Sequence, residues 1–191
     1  MHMRKPCSAL AVFAALSLSM FELLSGSFSY AADTDLLTQY ENTGVLFSPS
    51  GSNFSVTFPV APELSKEMRA GVEFGSASIC KKGIGLRASY NQIPDCDIDA
   101  LKKSILSDLK RNAADSGVLD PTIGVTETPL GLVGTFKGIR KTFAGNVFIR
   151  SDVYIKGNSM MTLLTVEPAD RSPTMEAVLF KKSLKLNRET R

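Results

Sequence analysis

The chain has 191 residues, a net charge of +3, no tryptophan and one histidine, His2. This length suits a single domain with one core once a leader is set aside. A near-neutral, mixed-sign balance excludes a general pull on nucleic acid, and the body of the chain holds no imidazole for a Ser–His–Asp triad.

The first segment has the layout of a secretory signal peptide. Arg4 and Lys5 form a positive start, Ala9 to Phe21 an apolar run, and Ser29-Tyr30-Ala31 a small-residue cleavage site. The expected organisation is a signal peptide over 1–31 and one domain over 32–191, exported to a periplasm or secreted. Glu22 breaks the apolar run well short of the ~20 residues a span needs, so no stable membrane span is expected after cleavage. Cys7 precedes the run, which excludes a lipid-attachment cysteine. Cleavage removes His2 and Cys7 and leaves Cys80 and Cys96. In an oxidising compartment an even pair reads as a disulfide. Closing that loop of about 15 residues contributes roughly 3 kcal/mol by loop-closure entropy. A catalytic role for either thiol is disfavoured, because neither C-x-x-C spacing nor a histidine is present to activate it.

Asp33 to Thr43 is a polar lead-in with leucines, compatible with a short helix. Val45-Leu46-Phe47, a Ser/Pro/Gly turn cluster and Phe54-Ser55-Val56-Thr57-Phe58 form a hairpin, with Phe54, Val56 and Phe58 on one face. Pro59 and Pro62 then impose an extended segment. Met68 to Cys80 is β-like with glycine interruptions at Gly71 and Gly75. Lys81-Lys82-Gly83 is a turn, and Gly85 to Ile93 alternates again until Pro94. Asp95 or Asp97 caps the strongest helix, whose inner face is Ile98, Leu101, Ile105 and Leu109, reinforced by Leu106; Gly117 stops it. Four strands are expected at 122–128, 132–143, 147–156 and 159–166, the last two joined by a Gly157-Asn158 turn. Met160 to Val166 is apolar on both faces and reads as a central strand covered on both sides. Ser172 as N-cap and Pro173 at the first position open a second helix. Leu184-Lys185-Leu186 closes as an edge strand or as the helix end. Lys181-Lys182 and the Arg188–Arg191 tail read as solvated surface.

Runs of strands separated by single helices argue for an α+β fold with an antiparallel sheet flanked by helices, a three-layer α/β/α sandwich in one domain. Phe47-Ser48-Pro49-Ser50-Gly51, Phe54-Ser55-Val56-Thr57-Phe58-Pro59 and Pro62 resemble the opening of PsbP-like bacterial exported proteins. Leu86 to Tyr90 with Pro94, Tyr154-x-x-Gly157-Asn158 with Leu163-Leu164, and Phe180-x-x-Ser183-Leu184-Lys185-Leu186 resemble later landmarks of that group. The resemblance implies a sheet sandwiched between helices, a shape shared by photosystem II extrinsic subunits and a Ran-binding import factor. It implies accessory or binding roles and carries no catalytic motif across. Fold alone does not imply function.

The motifs yield little chemistry. Gly83-Ile84-Gly85-Leu86-Arg87-Ala88 matches G-x-G-x-x-A, but a strand follows where a dinucleotide site needs a helix. Gly131 to Gly138 lacks the Gly-Lys-Ser/Thr ending of a phosphate loop and reads as a strand with close approaches. Asp95, Asp97 and Asp99 lack the glycine and the bidentate glutamate of a calcium loop. Asn53-Phe54-Ser55 is formally a sequon, with Phe54 expected to be buried. Glu67 with Glu73, or Asp152 with Glu167, are the carboxylate pairs able to meet across strands.

Phe148, Arg150, Asp152 and Tyr154 share one strand face. They are the candidate binding surface, an aromatic and charged stripe of the kind enriched at interfaces. The alternative is a face partly covered by a helix, with Arg150 and Asp152 near its rim. The expectation is an exported, non-enzymatic binding or accessory protein that recognises an envelope protein or small ligand, with no cofactor, no metal and no nucleic acid. A small carboxylate or Ser–Lys hydrolase, and a carrier of an apolar ligand, are the alternatives.

Overall fold

The protein was analysed as a computed structural model, which describes residues 33–69, 72–94 and 97–187. The expected signal segment 1–31, Cys96 and the 188–191 tail lie outside those residues. Among the described residues the helices are α1 (Asp33–Thr43), α2 (Ile98–Asp115) and α3 (Met175–Lys182). The strands are β1 (Val45–Phe47), β2 (Phe54–Phe58), β3 (Glu63–Arg69), β4 (Val72–Lys81), β5 (Ile84–Gln92), β6 (Leu119–Thr128), β7 (Gly131–Thr142), β8 (Gly145–Lys156), β9 (Ser159–Pro168) and β10 (Lys185–Leu186).

The apolar run Met160 to Val166 becomes the middle of the molecule. β9 is the fourth strand of a seven-stranded antiparallel sheet ordered β3-β4-β5-β9-β8-β7-β6. Met161 and Leu163 point to one side and Met160, Leu164 and Val166 to the other, each joining a separate core. One face is covered by α2, whose Ile105 and Leu109 pack with Phe136, Ile149 and Val153. The opposite face is covered by α3 and by a small sheet, β1-β2-β10. There Phe54, Val56, Phe58 and Phe180 pack on Leu86, Ala88, Tyr90 and Leu163. Each such side chain contributes roughly 1.5–3 kcal/mol when fully buried. The fold is therefore α+β in three layers in a single domain, as expected.

The expected hairpin forms, with Val45 opposite Phe58 and Phe47 opposite Val56. All of β2 is buried, including Ser55 and Thr57. The small sheet explains this: β10 pairs on the far side of β2, and Ser183 Oγ accepts from the Thr57 amide at 3.0 Å. Leu184-Lys185-Leu186 thus ends partly as a strand, not as a helix end.

Asp97 caps α2 by accepting from the amides of Asp99 and Ala100 at 3.0 and 3.1 Å. Gly117 follows its end at φ +65°, a conformation glycine takes without steric cost. Close approach sets the helix height. A Cβ at Gly134 would lie 2.5 Å from Ile105 Cγ2 and 2.9 Å from Leu109 Cδ1.

Four expectations need correction. The β structure begins before Met68: β3 starts at Glu63 and pairs antiparallel with β4, Arg69 opposite Val72, so the Pro-containing lead-in continues into a strand. Ile98 and Leu106 are exposed, because α2 lies on the sheet along its Leu101–Ile105–Leu109–Ala113 stripe. The cap of α3 is Thr174, whose Oγ1 accepts from the Ala177 amide at 3.3 Å; Ser172-Pro173 is a cis bond just before it. Lys181 is not solvated surface, as the site shows.

Candidate functional site

β8 carries the candidate stripe. The register sets Phe148, Arg150, Asp152 and Tyr154 opposite Ile139, Lys137, Thr135 and Val133 of β7, all on the face covered by α3. The strand brings the four into one line, and burial then divides them. Tyr154 is buried in the core, its ring 6.3 Å from that of Phe54. Burial pushes its phenol well above the usual range, with Asp152 adding to the shift. Tyr154 is therefore a packing residue. Phe148 and Arg150 remain half-buried and keep contact with solvent.

Asp152 is 1 % exposed. An ionised carboxylate at that depth requires partners, and three converge. Lys181 Nζ of α3 lies 2.7 Å away, Thr135 Oγ1 donates at 2.6 Å, and Arg150 Nε donates at 3.0 Å. Burial opposes the charge on Asp152, but Lys181, Thr135 and Arg150 outweigh it and hold its pKa below the ordinary carboxylate value. Burial lowers the pKa of Lys181 against the attraction of Asp152. Nearby, the buried Glu167 accepts from the Thr174 amide at the start of α3. Asp152 and Glu167 share this face, but they do not meet: Asp152 is opposite Leu163, and Glu167 is opposite Phe148.

This is a compensated charge knot under a helix. With its oxygens occupied and its pKa depressed, Asp152 is poorly placed to act as a general base near neutrality. What it can do is hold Arg150. The guanidinium is fixed through Nε while 36 % of the side chain stays exposed. Around it, Ile139 and Lys137 are exposed across from Phe148 and Arg150, and Phe143 at the β7–β8 turn is 92 % exposed. Lys137 and Arg150 are like charges directly opposite each other, a pairing that is unfavourable without a counter-charge. The result is an apolar and cationic patch at one end of the sheet.

Sequence reasoning missed Lys181 and Thr135, because their contacts cross layers or strands. The usable signal was Asp152 itself, an acid inside an otherwise apolar strand that must find a cation once covered.

The remaining candidates stand as follows. Gly83 to Ala88 lies across the β4–β5 turn and the start of β5, and Gly131 to Gly138 is strand with close helix contact, both as expected. Asp97 is a helix cap. Glu67 faces Phe74 and Glu73 faces Met68, so those two acids point to opposite sides of the sheet. Asn53 Nδ2 donates to the Lys156 carbonyl at 3.0 Å, and Phe54 is fully buried. Cys80 is an exposed free thiol, and its expected partner Cys96 lies outside the described residues. Among the described residues no three His, Cys, Asp or Glu side chains gather as a metal set, and no helix is long and apolar enough to cross a membrane.

Comparison with protein-family profiles finds no matching family, and comparison with curated proteins finds no matching relative. A solved structure from Bacteroides thetaiotaomicron VPI-5482, determined at 1.50 Å, is similar with a TM-score of 0.44 and 13 % identity. The similarity covers 78 % of this chain and 50 % of that one, so this chain spans about half the length of that protein.

Proposed function

We propose that the chain is an exported, non-enzymatic binding or accessory protein of PsbP-like character. It recognises a protein partner or small ligand through the outer part of the sheet face beside α3. The observation that carries this reading is the anchoring of Arg150 by the buried Asp152 next to the half-buried Phe148. Pre-positioned arginine and aromatic side chains with little freedom left to lose favour association. Ile139 and Lys137 extend the same surface. Export is supported by the layout of residues 1–31.

Contact here is non-covalent. Phe148 and Ile139 supply apolar area, and Arg150 and Lys137 attract acidic groups. The test is capture from envelope extract by the tagged chain, compared with Phe148→Ala/Arg150→Ala. Loss of the captured set in a variant that still unfolds cooperatively supports the surface. An unchanged set rejects it.

A further inference from the structure

The face covered by α2 is not covered evenly. α2 lies against β6 and β7, and the Lys102–Glu127 ion pair at 2.6 Å holds one helix edge over β6. The β4–β5 half of the same face carries no comparable helix packing among the described residues. It presents Ser76 and Ser78 of β4 and Arg87 and Ser89 of β5. The register puts Arg87 directly between Ser78 and Leu164 of β9.

Arg87 is incompletely satisfied. Its Nη2 donates to Ser76 Oγ at 3.3 Å, while its Nε is buried and has no acceptor. Burial lowers its pKa, and no carboxylate contributes to that shift. The acid in the same cross-strand row is Glu63 of β3, opposite Ser78 and therefore two strands, or about 10 Å, from Arg87. Elsewhere on this face, Lys102 is paired with Glu127, and Arg111 with the buried Asp108. Among the described residues Arg87 contacts a serine hydroxyl and no carboxylate. A partly buried charge without a counter-charge is unfavourable, and the planar fork of arginine matches the two oxygens of a carboxylate or phosphate.

We propose that Arg87 anchors an oxyanion site on the half of the sheet that α2 leaves open. The site takes the carboxylate or phosphate group of a small ligand, with Ser76, Ser78 and Ser89 as supporting hydroxyl donors. It lies on the opposite face from Phe148 and Arg150, so it stands or falls independently of that surface.

The experiment is titration of the protein with inorganic phosphate and, separately, with acetate, at ionic strength held constant with chloride. Binding is read by calorimetry and by the Arg87 side-chain N–H resonance. Saturable binding of one or both anions is expected, and their relative affinities identify the oxyanion preferred. Arg87→Gln weakens binding at least about tenfold. Arg87→Lys keeps the charge but loses the fork and falls between, and Lys110→Gln on exposed α2 surface changes nothing. The absence of saturation with both anions up to about 50 mM, or equal binding by Arg87→Gln, overturns the proposal. If Arg87→Gln does not fold, the wild-type resonance decides: it shifts saturably with anion or the site is rejected.

Discussion

The ammonium of Lys181, on α3, lies 2.7 Å from the carboxylate of Asp152, on β8. This contact ties the outer helix to the strand that carries the candidate surface. Removing one partner of a buried pair strands the other charge and costs about 3–5 kcal/mol. Asp152→Ala is expected to lose that much. Lys181→Met loses less, because Lys181 is partly exposed and Arg150 and Thr135 still serve Asp152. The dependence on pH has a definite sign. The folded pKa of Asp152 is depressed, so its stabilisation is present above the ordinary value of about 3.9. It disappears as pH falls through that value toward the lower folded one. Denaturant titrations should show the gap between wild type and Asp152→Asn shrinking from about pH 5 downward. A gap that widens in acid contradicts this role.

Gly134 sets the distance between α2 and the sheet. A Cβ there would press on Ile105 and Leu109 at 2.5 and 2.9 Å, whereas one at Gly75 meets nothing within 4 Å. Gly134→Ala is therefore expected to destabilise by about 1–3 kcal/mol through overpacking. Gly75→Ala should stay within about 0.5 kcal/mol of wild type. Equal effects in thermal unfolding would show that helix height is not set at Gly134.

Cys80 should titrate as a free thiol. It is exposed near the end of β4, opposite Gly85 of β5. Burial raises the Cys80 pKa, so its reaction with a thiol reagent should accelerate as pH rises. Failure of native, unreduced protein to react at Cys80, with reaction restored by a reductant, would establish a bridge instead.

Much of the fold was legible because its signals are local. The double-sided apolar run from Met160 marked the central strand. Asp97 marked the start of α2, and Gly157-Asn158 marked the β8–β9 turn. β3 was obscured because both its faces are polar or exposed, so alternation left no contrast to read. Ile98 and Leu106 were misassigned because helical periodicity gives a stripe but not its width, and the sheet touches only part of it. At the site, period two placed Phe148, Arg150, Asp152 and Tyr154 on one face. It was silent on which of them α3 would bury. Lys181 lies 29 positions beyond Asp152 in the chain, and only the packing of layers brings them together.

Recognition by the proposed surface rests on Phe148 and Arg150, steadied by Asp152. The most direct measurement is quantitative capture from envelope extract by wild type, by Phe148→Ala/Arg150→Ala and by Lys110→Gln, each first shown to unfold cooperatively. The specifically captured set is expected to survive Lys110→Gln and to be lost from the double variant. Capture of the same set at the same level by the double variant would contradict it.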